Sequence, residues 1–134
     1  MIGLVVVTHG HLADEFVKAL EHVVGPQPQM LAICIGADDD LENRGRDIKN
    51  AVQEVDTGDG VILLTDMFGG TPSNLALKLL AKDQVEVLAG VNLPMLIKLA
   101  EARTTTGLNE ACEIAVAAGR KYIAIASEVL GNRT

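Results

Sequence analysis

Three features of the sequence predict an α/β domain with a doubly wound, mostly parallel sheet. Short apolar runs alternate with segments of helical periodicity along the chain. The runs are continuous, as strands buried on both faces require. The core has to be aliphatic, because 49% of the 134 residues are hydrophobic while only 2% (Phe16, Phe68, Tyr122) are aromatic. No repeat or linker-like composition interrupts the pattern, so residues 1–134 read as one domain.

Ile2 to Val7 is the first apolar run and predicts a central strand. Leu12, Phe16, Leu20 and Val23 follow at helical spacing, and Gly25-Pro26 stops that helix. Met30 to Ile35 reads as a second strand. Leu41, Ile48, Val52 and Val55 mark a helix with a narrow apolar stripe, and the preceding Asp38-Asp39-Asp40 run reads as a solvated loop that supplies its N-cap. Gly60 to Thr65 is a third strand, and Pro72 to about Lys82 a helix with Pro at its start. Val85 to Val91 predicts a fourth strand, Pro94 to about Arg103 a helix, and Leu108, Ala111, Cys112 and Ala115 another. Tyr122 to Ala126 is expected to close the chain as a short edge strand. Right-handed crossovers between parallel strands favour the flavodoxin-like order 2-1-3-4, with ligands at the carboxyl ends of strands 1 and 3.

Composition narrows the partners. With 11 Lys+Arg against 18 Asp+Glu the net charge is −7, which repels phosphate backbones and anionic lipid. Nucleic acid is therefore excluded, and the scarcity of aromatics removes a base-stacking platform. The N-terminus has no basic signal-peptide region, and the longest uncharged stretch, Val23 to Ala37, is too short to span a bilayer. Cys34 and Cys112 lack metal-ligand spacing and read as small core residues of a reducing compartment. The expectation is a cytoplasmic protein with no cofactor, no bound metal and no direct membrane insertion.

The chemistry-bearing residues fall at one predicted edge. Strand 1 ends in Thr8-His9-Gly10-His11 and strand 3 in Asp66-Met67-Phe68-Gly69-Gly70-Thr71-Pro72-Ser73-Asn74. Asp66 beside His9 would hold one ring N–H, fix the tautomer and leave the other nitrogen as a nucleophile. Thr71 as N-cap and Pro72 at the first helical position would leave the Ser73 and Asn74 N–H groups free for an anion. Gly69 and Gly70 would let the backbone approach it. Each residue also has a plainer role: Asp66 can cap a turn, Gly69-Gly70 can be a tight connection, and His11 and His22 can be solvated helix residues. Convergence of three signals at one sheet edge favours the functional reading.

Thr8-His9-Gly10, Asp66-x-Phe68-Gly69-Gly70-Thr71-Pro72-x-Asn74 and Ala89-Gly90-Val91-Asn92-Leu93-Pro94-Met95 together resemble the mannose-family enzyme IIA domain of the bacterial phosphoenolpyruvate-dependent sugar phosphotransferase system. The resemblance covers essentially the whole chain. It implies a phosphotransferase component in which His9 accepts a phosphoryl group on Nε2 from HPr and passes it to an enzyme IIB component, for sugar uptake or for regulation. It gives Asp66 the orienting role and places Thr8, Gly69, Gly70, Thr71, Ser73 and Asn74 at the phosphoryl group. It also implies a homodimer that exchanges the final edge strand. Since the sequence stops at Thr134 without a linker and IIB domain, the IIB acceptor is expected to be a separate protein. Phe68 stands where the family often has Trp. Two alternatives compete: a phosphotransfer subunit serving a dihydroxyacetone kinase, and a receiver-like signalling module with Asp66 as phosphoacceptor. The second lacks the acidic pair after strand 1 that would hold Mg²⁺.

Overall fold

β1 (Gly3–His9) is the central strand, and its side chains from Leu4 to Val7 are fully buried. In the computed structural model, which describes residues 1–131, it pairs in parallel with β2 (Met30–Ile35) on one side and β3 (Val61–Thr65) on the other. β4 (Val85–Ala89) pairs with β3, so the sheet is all-parallel with the order β2-β1-β3-β4 that the sequence predicts. Residues 132–134, the end of the predicted domain, lie outside the described residues.

Alternation along the strands divides the core between two faces. Leu4 and Val6 of β1, with Ile62 and Leu64 of β3, face α1 (Leu12–Val24), α4 (Leu93–Ala102) and α5 (Leu108–Lys121). Val5, Val7, Val61 and Leu63 face α2 (Leu41–Val55) and α3 (Thr71–Leu77). β1 and β3 thus bury side chains on both faces, which is why their sequence is apolar without alternation. Asp40 caps α2 as predicted, accepting from the Glu42 and Asn43 N–H groups at 3.0 and 3.4 Å.

The predicted C-terminal edge strand is not formed. Residues 123–125 are irregular, and Ala126–Leu130 is a short helix, α6, with no buried residue. Tyr122, Ile123, Ile125, Val129 and Leu130 are all exposed, Ile123 to 74%. The physical reason is the absence of a ladder: among the described residues this segment pairs with no strand, and an unpaired strand keeps its backbone groups in water. The helix after Thr71 is also shorter than predicted, ending at Leu77.

At the amino end of the sheet, opposite the site, Arg103 is 1% exposed. Its guanidinium donates to the carbonyls of Ile2 (3.3 Å), Gln29 (3.3 Å) and Pro28 (2.6 Å) and to Gln27 Oε1 (3.1 Å). The end of α4 is thereby tied to the start of β1 and to the loop entering β2. Burial lowers its pKa, yet a guanidinium stays charged, and the oxygens gathered around it offset its desolvation. Arg103→Met, which strands these carbonyls, is expected to cost on the order of 3 kcal/mol in urea unfolding; a change under about 0.5 kcal/mol would remove the clamp role.

Candidate functional site

Parallel pairing of β1 with β3 brings Val7 opposite Thr65, so the residues just beyond them meet at the carboxyl edge. There His9 Nδ1 lies 2.8 Å from Asp66 Oδ2, and the same oxygen accepts the His9 backbone N–H at 3.1 Å. A carboxylate is acceptor-only, so Nδ1 carries the proton and Nε2 is left with its lone pair. The His9 side chain is 49% exposed and that of Asp66 only 14%, so the ring is presented to solvent while its anchor is sheltered. Burial pushes the Asp66 carboxyl up, but the hydrogen bonds from the His9 ring and N–H, together with the positive charge of the ring in its protonated form, outweigh it and hold the carboxyl below its ordinary value.

The loop after Asp66 wraps the other edge of the ring. Gly69 has φ +89, a conformation that side chains disfavour. A Cβ on Gly70 would lie 2.8 Å from His9 Cε1 and 3.1 Å from Nε2, closer than atoms pack. Glycine at 70 therefore lets the backbone sit directly against the free nitrogen. Met67 and Phe68 stand out at the rim, Phe68 exposed to 71%.

α3 starts one residue earlier than predicted. Gly70, not Thr71, is its cap residue, Pro72 lies in the first turn, and Asn74 N–H is taken up by Gly70 O at 2.9 Å. The donors left at this end are the N–H groups of Thr71 and Ser73 rather than those of Ser73 and Asn74. Ser73 itself is fully buried, main chain included, with its hydroxyl unpartnered among the protein's own groups. Asn74 is exposed. Thr8 is fully buried beneath the site. Its Oγ1 accepts the Ala13 N–H at 2.7 Å and donates to His9 O at 3.3 Å, so this hydroxyl ties the start of α1 to the end of β1.

One wall of the crevice was not foreseen. It comes from the loop after β2 and the first residue of α2: Gly36, Asp39 and Leu41 line a pocket with His9, Gly10 and Thr71. Asp39 Oδ2 holds the Gly36 N–H at 2.8 Å and shapes that loop. In the sequence, this Gly-x-x-Asp turn after a strand was the available signal. In the Ala89–Met95 stretch, Asn92 caps α4 and ties it to α5, since its Oδ1 accepts the Met95 N–H and its Nδ2 donates to Gly119 O. Burial pushes the Cys112 thiol up to about 12, so it is inert.

A histidine oriented by a carboxylate, with its free nitrogen against a glycine loop at the switch point of a doubly wound sheet, defines a class of α/β domain built for group transfer. The chain belongs to the EIIA-man family, "PTS system fructose IIA component", which matches residues 3–116. The "PTS system mannose-specific EIIAB component" of Escherichia coli is 33% identical over 124 residues, which are 91% of this chain and 38% of that protein. The chain thus spans well under two thirds of that relative. The "PTS system fructose-specific EIIA component" of Bacillus subtilis is 25% identical over 131 residues, covering 97% of this chain and 90% of the relative. Among solved structures, the phosphotransferase system component EIIA from Streptococcus agalactiae superposes with a TM-score of 0.87 at 25% identity, over 96% of this chain and 99% of that one.

Two outcomes test the geometry. In a crystal structure of Gly70→Ala the His9 ring is expected to be displaced and its hydrogen bond to Asp66 broken; a ring left in place would show that the loop yields instead. A carboxyl lowered by folding stabilises the fold above its unfolded value of about 3.9 and loses that contribution as pH falls through the lowered value. The stability difference between wild type and Asp66→Ala should therefore persist at about pH 5 and shrink only below about pH 4. A difference already gone at pH 5 would contradict the pairing.

Proposed function

We propose that this protein is a phosphoryl carrier of a sugar phosphotransferase system, with His9 as its covalent acceptor. The observation that carries the reading is the 2.8 Å bond from His9 Nδ1 to Asp66, which reserves Nε2 for attack. Nε2 attacks the phosphorus of phospho-HPr. The N–P bond to His9 forms as the N–P bond to the donor histidine breaks, and Asp66 balances the positive charge that develops on the ring. The return step delivers the phosphoryl group to an enzyme IIB component and restores the neutral imidazole. Such a transfer is largely alignment plus charge stabilisation.

The surroundings support this assignment. Gly69 and Gly70 let main chain approach the phosphoryl oxygens, and the half-buried Thr71 at the start of α3 adds its N–H, with Ser73 packed behind it. Thr8 and Asn74 complete the site, Thr8 by fixing the β1–α1 junction and Asn74 from the exposed face of the first helical turn. The exposed Phe68 and Met67 offer an apolar contact, while Asp38, Asp39 and Asp40 add acidic charge suited to a donor with a basic face. Among the described residues no helix is long and apolar enough to cross a membrane.

A homodimer belongs to the same proposal. Among the described residues the outer edge of β4 pairs with no other strand beyond the single Ala81–Val85 bridge, and residues 122–130 present five exposed large apolar side chains, Tyr122, Ile123, Ile125, Val129 and Leu130. Laying the 122–126 segment of one copy along β4 of another would satisfy both.

Incubation with phosphoenolpyruvate, enzyme I and HPr should add one acid-labile phosphoryl group to wild type and none to His9→Ala, as read by intact mass. Phosphorylation of the His9→Ala protein, or none on wild type with HPr charged, would overturn the assignment. Asp66→Asn is expected to remain phosphorylatable but to react roughly 10–100-fold more slowly, as when a histidine loses its orienting partner; unchanged kinetics would remove that role.

A further inference from the structure

Three metal-capable side chains that the sequence separates come together beside the His9 crevice. His11 and Asp14 lie three residues apart at the start of α1, and Cys34 is on β2 directly opposite Thr8 in the β1–β2 register. A ring nitrogen of His11, a carboxylate oxygen of Asp14 and the Cys34 sulfur all lie within 4.8 Å of one another. The frame beneath them is fixed twice through Thr8: its backbone pairs with Cys34, and its hydroxyl holds the Ala13 N–H at 2.7 Å. His11 makes no side-chain capping bond to α1, so its ring is not committed to holding the helix.

We propose that His11, Asp14 and Cys34 form a binding site for a borderline-soft divalent ion, Zn²⁺ above all. One nitrogen, one oxygen and one sulfur donor match zinc, and a thiolate ligand disfavours Mg²⁺ and Ca²⁺. Zinc bonds of about 2.0–2.3 Å in a tetrahedron set ligand atoms roughly 3.5 Å apart. The present cluster therefore needs to close by no more than about an ångström, through rotation of the two exposed side chains at the start of α1. Cys34 gives up its thiol proton to solvent on binding, so loading releases one proton per ion. Three protein ligands leave a fourth position open to water on the solvent side. With the Cys34 thiolate and the Asp14 carboxylate as ligands the ion's two positive charges are balanced, so loading leaves a neutral centre at the same sheet edge as His9. The site uses no atom of His9 or Asp66 and stands whether or not His9 carries phosphate.

Cobalt titration of the reduced protein tests the site, because Co²⁺ occupies zinc sites and a thiolate ligand gives a near-ultraviolet charge-transfer band. The expected result is one Co²⁺ per chain with that band, displaced by Zn²⁺. The band should vanish in Cys34→Ser and binding weaken at least about tenfold in His11→Ala, an exposed position whose change leaves the fold intact by circular dichroism. It should survive in Cys112→Ser and His9→Ala. Absence of the band in wild type, its survival in Cys34→Ser, or its loss in Cys112→Ser or His9→Ala would overturn the proposal.

Discussion

The pairing of β1 with β3 is the constraint on which everything else at the carboxyl edge depends. Its register, Val7 against Thr65, leaves no freedom in where His9 and Asp66 emerge. A slip by one residue would turn Val5 and Val7 toward the wrong layer and separate the two site residues. The two-sided burial that fixes this register also makes the strands readable in the sequence. Packing and chemistry are here a single requirement, since the aliphatic core on both faces of β1 and β3 holds a histidine and a carboxylate 2.8 Å apart.

Around that pair, polar groups have been assigned one task each. Asp66 serves the ring and backbone of His9 together, so strand end and side chain are aligned by one oxygen. Thr8 fastens α1 to β1 from below. Gly70 contributes by lacking a side chain, because the ring occupies the space a Cβ would need. Preorganisation of this kind matters for transfer between proteins, where little beyond alignment lowers the barrier. Arg103 does comparable work at the far end, closing the amino edge of the sheet with carbonyl oxygens instead of a carboxylate.

Much of this was legible in the sequence. Continuous apolar runs gave β1 and β3, Pro and Gly marked the helix limits, and topology alone put His9 and Asp66 in one crevice. What escaped has physical causes. Whether Gly70 or Thr71 caps α3 depends on backbone dihedrals of a glycine pair that local preference barely distinguishes. The Tyr122–Ala126 segment has strand-like composition, yet strand formation needs a ladder that the described residues of its own chain do not provide. Arg103 read as an ordinary helix terminus, because only tertiary structure reveals four oxygens converging on it. His11, Asp14 and Cys34 were separate, plain residues until β1–β2 pairing placed them side by side. The Gly36–Leu41 wall was likewise visible only as a turn, since nothing local says which crevice a loop will face.

The central claim is that Asp66 reserves one particular nitrogen of His9 for the phosphoryl group. Nitrogen-15 and phosphorus-31 NMR of the ring-labelled phosphoprotein measures this directly. The account predicts phosphorus–nitrogen coupling at Nε2 of His9, with Nδ1 protonated and still bonded to Asp66. Coupling at Nδ1, or a phosphoryl group on any other side chain, would contradict it.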